Sequence, residues 1–150
     1  DEGGRLILVG WDILGPFTSV DTASFASGFV YRYLRIQGGL RDNGRNFVKF
    51  MGDTDLEYPA SITIDTEKMP GSWAGIDKTW TFTPRHRTEG LGTWHGGYDA
   101  TEPMEGGITC VRNFNEVNPW RTIVIGFPLY FMKNDEASAL MMRAVEDIDG

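Results

Sequence analysis

RTIVIGFPLYFMKNDEASALMMRAVEDIDG, residues 121–150, joins an apolar run to an amphipathic segment through Gly-Phe-Pro. TIVIGF is β-branched and apolar throughout, as in a strand covered on both faces. Pro128 lacks a backbone donor and disfavours helix at Phe127, so the strand must stop there. Asn134 is placed to cap a helix, with Asp135 and Glu136 favourable in its first turn. Ala137, Leu140, Met141, Ala144, Val145 and Ile148 then follow helical spacing and form one apolar stripe, which should lie on the sheet. The chain therefore ends in a strand-helix unit.

Working outward, RLILVGWD near residues 5–10 is a second nearly continuous apolar run, expected as a central parallel strand. TASFASGFVYRYLRI places Phe25, Phe29, Val30, Tyr33 and Leu34 near helical spacing, with Asp21 as N-cap and Gly38 and Gly39 as the stop. NFVKFMG, near 46–51, reads as the next strand. Strand, crossover helix and strand make a right-handed parallel unit by default. Between about residues 60 and 120 helical periodicity is absent, and ASITIDTE, KTWTFTP and GGITCVRNF read as antiparallel additions between Gly- and Pro-rich loops. The expectation is one three-layer α/β domain over residues 1–150, with parallel strands near 5–10, 46–51 and 121–127.

The 150 residues are long enough for a core without disulfide or metal staples. A net charge of -7, without a Lys/Arg block, argues against nucleic acid as a partner. No apolar run approaches the ~20 residues of a spanning helix. Cys110 is the single cysteine, so an internal disulfide is impossible. Nineteen Gly and five Trp suit a loop-rich extracellular or cell-surface protein, and the same composition also occurs in cytoplasmic enzymes. The opening DEGGRLILVG carries no signal-peptide pattern. Its glycine pair ahead of a strand resembles the cap of a preceding helix, so upstream strands of the domain are expected to be missing from the sequence.

Gly3 and Gly4 before the first strand, Tyr33 and Leu34 at the end of the expected helix, and Gly126, Phe127 and Pro128 after the last strand together resemble a flavodoxin-like domain. That domain is related to class I glutamine amidotransferases and found near the C-termini of large secreted bacterial proteins. The resemblance covers both ends of the chain and little between residues 60 and 105. It implies a flavodoxin-like fold without complete catalytic machinery. An amidotransferase nucleophile is a Cys at a sharp elbow among small residues, whereas Cys110 sits between Thr109 and Val111 in a continuing strand.

Other constellations are incomplete. HGGYD, 95–99, resembles an oxyanion loop but has no Gly-x-Ser-x-Gly partner. A hydrolase reading uses the 85–102 segment, with His95 as base and Asp99 or Glu102 as its carboxylate partner. Asp53, Asp55 and Glu57 alternate and could turn three carboxylates toward a hard cation such as Ca²⁺, though the spacing equally suits a solvated acidic loop. Arg85 and Arg87 flank His86 in the one local basic cluster, suited to a carboxylate or phosphate. Trp73, Trp94 and Tyr98 could form an aromatic platform for sugars or a partner protein. No Gly-rich cradle calls for a flavin or nucleotide, so no cofactor is expected.

Together these features lead to a non-catalytic accessory or interaction module of a larger, exported bacterial protein. Its partner would be another segment or domain of the same parent protein, or a second copy of the chain. The alternatives are the 85–102 hydrolase and a carbohydrate- or Ca²⁺-binding module.

Overall fold

The computed structural model describes residues 3–97, 103–114 and 120–150. Among these described residues nine strands form: β1 (Arg5–Val9), β2 (Thr22–Ser24), β3 (Ile36–Asp42), β4 (Phe47–Gly52), β5 (Ile62–Thr63), β6 (Thr79–Pro84), β7 (Thr88–Gly96), β8 (Ile108–Asn113) and β9 (Arg121–Ile125). One α-helix, α1 (Asn134–Asp149), follows them. A mixed sheet runs β1-β9-β8-β7-β4-β5, and a smaller sheet runs β2-β3-β6. Among the described residues only β1 and β9 pair in parallel, Ile7 opposite Ile123 and Val9 opposite Ile125. The remaining ladders are antiparallel.

This is a mostly β protein, and the flavodoxin-like three-layer α/β expectation is corrected. β9 is covered on both faces, as its apolar run requires, but helix covers only one of them. Ile123 and Ile125 pack with Leu140, Ala144 and Ile148 of α1 in one core cluster. Val124 belongs to a second cluster with Trp80 and Phe82 of the small sheet. An apolar strand reports that both faces are covered and carries no information about whether helix or sheet covers them.

The expected helix after β1 is absent. Thr22–Ser24 is strand, Val30–Leu34 makes one π turn, and Arg35 closes that turn in the left-handed conformation at φ 59°. Its apolar side chains still turn inward, Val30 and Leu34 being buried against Trp80 and Val124. Gly39, expected to stop a helix, lies inside β3, where an added Cβ would fall 2.7 Å from the Thr81 carbonyl oxygen. The close approach of β3 to β6 therefore requires glycine. β4 exists as expected, but it is antiparallel to β7 and far from β1 in the sheet order.

Toward the C-terminus the agreement is closer. β9 ends at Ile125, ahead of Pro128, and α1 begins at Asn134. Lys133 occupies the cap position, so Asn134 is the first helical residue and makes no cap bond. Leu140, Ala144 and Ile148 are buried, while Val145 is exposed. Among the described residues no helix is long and apolar enough to cross a membrane.

A buried polar network fixes α1 to the sheet. Arg112 on β8 donates to both carboxylate oxygens of Asp147, at 2.8 and 2.9 Å, and the Tyr58 hydroxyl donates to Oδ2 at 2.6 Å. Burial, then Asp147, pushes the Tyr58 phenol well up, and burial does the same to the Cys110 thiol. Both groups keep protons in the folded chain that the unfolded chain releases near pH 8.5 (Cys) and 10 (Tyr), roughly. Their contribution to stability is therefore complete at neutral pH and is lost as pH rises. Urea midpoints measured from neutral pH upward are expected to fall from about pH 8.5–9, and Cys110→Ala to move that onset toward about pH 10. An unchanged onset in the variant would show that the thiol is not the first group to titrate.

Candidate functional site

Of the 85–102 segment, read from the sequence as a loop, Thr88–Gly96 is β7, lying inside the large sheet between β4 and β8. Its glycines disguised it. Gly92 faces the Phe50 ring so closely that a Cβ would lie 2.2 Å from ring carbons, so the strand reaches its partner only without a side chain there. Strand alternation then buries Trp94 and puts Thr93 and His95 together on the other face.

There the side chains form a chain of hydrogen bonds. Thr93 Oγ1 lies 2.7 Å from His95 Nε2, and His95 Nδ1 lies 2.7 Å from Glu105 Oε1. The Gly96 N–H donates to Glu105 Oε2 at 2.8 Å. With an ionised Glu105 the proton of a neutral imidazole sits on Nδ1, which leaves Nε2 to accept from the threonine hydroxyl. Burial alone would raise the Glu105 carboxyl, but the Gly96 N–H, the His95 ring and the charge of Lys49 outweigh it and hold it below the usual range. Lys49 pairs directly with His95 across β4 and β7, so both side chains leave the same face. Beside Thr93 opens a shallow groove of about 510 Å³ walled by Met51, Asp53, Gly90, Gly92 and Ile108.

His95 thus has a carboxylate partner, and it is Glu105. Asp99, Glu102 and Tyr98, the other expected members of this region, lie outside the described residues. Thr93 and Glu105 were missed for a physical reason. Thr93-x-His95 is legible as one strand face only once 88–96 is known to be strand, and Glu105 arrives from the turn before β8.

The remaining candidates disperse. Trp94 is fully buried with its indole N–H on Thr79 Oγ1 at 2.9 Å, so it serves the core and offers no platform. Trp73 is half-buried, stacked beneath the Arg45 guanidinium at 3.9 Å and edge-on to Trp11. Arg85 folds over the Tyr31 ring at 3.7 Å and donates to the Tyr31 carbonyl, while Arg87 lines a small cleft with Glu89 and Arg112. Asp53 accepts from the Asp55 N–H and starts a 3-10 turn, while Glu57 reaches Arg143 at 3.8 Å. Among the described residues no group of three or more His, Cys, Asp or Glu side chains could hold a metal ion.

A second surface was not anticipated as a site. β1 is an edge of the large sheet, and Leu6 to Val9 are only half-buried, whereas Ile123, Val124 and Ile125 of the neighbouring β9 are fully buried. Next to it runs a row of exposed aromatics. Trp120 lies over Gly4, Tyr33 meets Trp120 edge-on at 5.8 Å, Phe29 meets Tyr33 at 5.6 Å, and Phe17 stacks on Phe29 at 5.9 Å. Each of the four is about 40% exposed.

Comparisons with known protein families, with curated proteins and with solved structures return no match to this chain.

Proposed function

We propose that this chain is an interaction module whose β1 edge accepts an apolar strand from another protein segment. The observation that carries the reading is β1 itself: a strand apolar on both faces with one ladder of backbone groups unpaired among the described residues. Such an edge is a template for strand addition, and natural edges are usually blunted by charge, proline or a bulge. Arg5, at the start of β1, is its one charged residue. A strand added here would cover the exposed flanks of Leu6, Ile7, Leu8 and Val9, and the Phe17-Phe29-Tyr33-Trp120 row would give it an aromatic margin, as interaction surfaces favour. The occupant is accordingly an extended segment with apolar residues on both faces, running in the sheet as β9 does.

A synthetic peptide copying residues 120–127 is a direct probe, because this segment already pairs with β1 from the other side. Saturable binding that slows amide exchange in β1 is expected, and Leu8→Lys should abolish it by placing a charge at the edge. Protection of β1 by self-association at high concentration, without peptide, would identify a second copy as the occupant. If the chain stays monomeric and the peptide leaves β1 exchange unchanged, the reading fails.

A further inference from the structure

The Thr93-His95-Glu105 chain has the order of a hydroxyl nucleophile, an imidazole base and an orienting carboxylate, with both links inside the reach such a relay requires. Glu105 is itself held by the Gly96 N–H, so the imidazole is fixed from its far side and Nε2 is aimed at the hydroxyl. The hydroxyl borders an open groove, and Met51 and Ile108 give that groove apolar walls next to Thr93. A core threonine satisfied by a neighbouring histidine would need neither the groove nor the carboxylate behind the ring.

We infer that Thr93 is the nucleophile of an esterase site, with His95 as its general base and Glu105 as the positioning carboxylate, acting on small uncharged carboxylic esters bound in the groove. Thr93 Oγ1 adds to the ester carbonyl carbon while its proton passes to His95 Nε2, and Glu105 stabilises the imidazolium formed. The tetrahedral intermediate collapses by breaking the bond to the alcohol oxygen, which takes the proton back from His95. The acyl group then sits on Thr93. Water adds to that acyl carbon, giving its proton to His95, and the Thr93 oxygen leaves, recovering the proton. The products are one alcohol and one carboxylic acid. Lys49, opposite His95 on β4, adds positive charge to the same face of the sheet. Asp53 in the groove wall disfavours anionic esters.

The test is hydrolysis of p-nitrophenyl acetate by the purified chain, with the acyl group located by peptide mass mapping after an acid quench. Wild type and Thr93→Ser are expected to turn the ester over and to carry acetyl at position 93. His95→Gln should lower kcat about 100-fold or more, the usual contribution of a positioned general base, and Thr93→Val should reduce the rate to that of free imidazole. Thr93→Val keeps the β-branched shape, so an unchanged melt will show that its loss is chemical. Equal rates in wild type and Thr93→Val, or no acetyl at Thr93 in wild type, overturn the proposal whatever the variants do.

Discussion

Asp147→Ala is expected to destabilise the chain by about 3–5 kcal/mol, the cost of removing one partner from a buried ion pair. Asp147 is 9% exposed and accepts from three directions: two bonds from Arg112, one from Tyr58, and a longer contact from Arg143 at 3.6 Å. Alanine would leave the Tyr58 phenol and the Nη1 edge of the Arg112 guanidinium without their acceptor, Glu89 holding only the other edge at 2.7 Å. At roughly 2–4 °C per kcal/mol for a chain of this size, melting should fall by about 6–20 °C. The triple change Tyr58→Phe, Arg112→Met, Asp147→Leu should recover a large part of that loss, because replacing a whole buried network with apolar groups removes the desolvation cost along with the attraction. A loss below about 1 kcal/mol in Asp147→Ala would mean that the network is solvated and contributes as a surface pair does.

Trp80→Ala is expected to cost about 3–5 kcal/mol, as a fully buried large aromatic removed from a packed core. Trp80 also joins the two sheets through its backbone. Its N–H donates to the Gly126 carbonyl at 2.9 Å, and its own carbonyl accepts from Thr109 Oγ1 at 2.7 Å. The indole N–H reaches Asp12 Oδ1 at 2.9 Å, and Arg41 contacts the same carboxylate. Trp80→Phe should cost less than the alanine change, since it keeps most of the buried area and forfeits mainly the Asp12 bond, worth about 1.5–3 kcal/mol to a charged acceptor. Urea midpoints would give the size of each effect and amide exchange its location. Exchange in β2 and β3 should accelerate more than in β9, because the small sheet depends on Trp80 for its hold on the large one. Uniform acceleration would show that the two sheets unfold as a single unit.

The ends of the chain were the legible part. TIVIGF and the Ala137-to-Ile148 stripe announce a buried strand and a helix because both signals are local: side-chain period, and a proline between them. RLILV announces a strand in the same way, and that strand runs parallel to β9, but it is a half-buried edge where a central strand is expected from its apolar run. The stretch from Asp21 to Leu34 misled because Phe25, Phe29, Val30, Tyr33 and Leu34 satisfy a helical period, while their strand, bend and single π turn are set by contacts with Trp80 and Val124, far along the sequence. β7 was unreadable for the opposite reason. Gly90, Gly92 and Gly96 erase its alternation, and the need for them exists only where Phe50 and other neighbours crowd the strand. The site followed the same division. His95 stood out by residue type, whereas its partners Thr93 and Glu105 became apparent only when β7 was seen as strand and the turn before β8 folded against it.

What the sequence determined by itself is a parallel-type strand at each end, a terminal amphipathic helix and an antiparallel middle. These depend on composition and on periods of two and 3.6, which act over a few residues. Tertiary structure alone decided what covers the second face of the large sheet, which strand neighbours β4, and which carboxylate meets His95. Burial rewards any apolar cover equally. The choice between helix and sheet therefore rests on long-range pairing, such as β3 with β6, and a sequence period contains no term for such pairing.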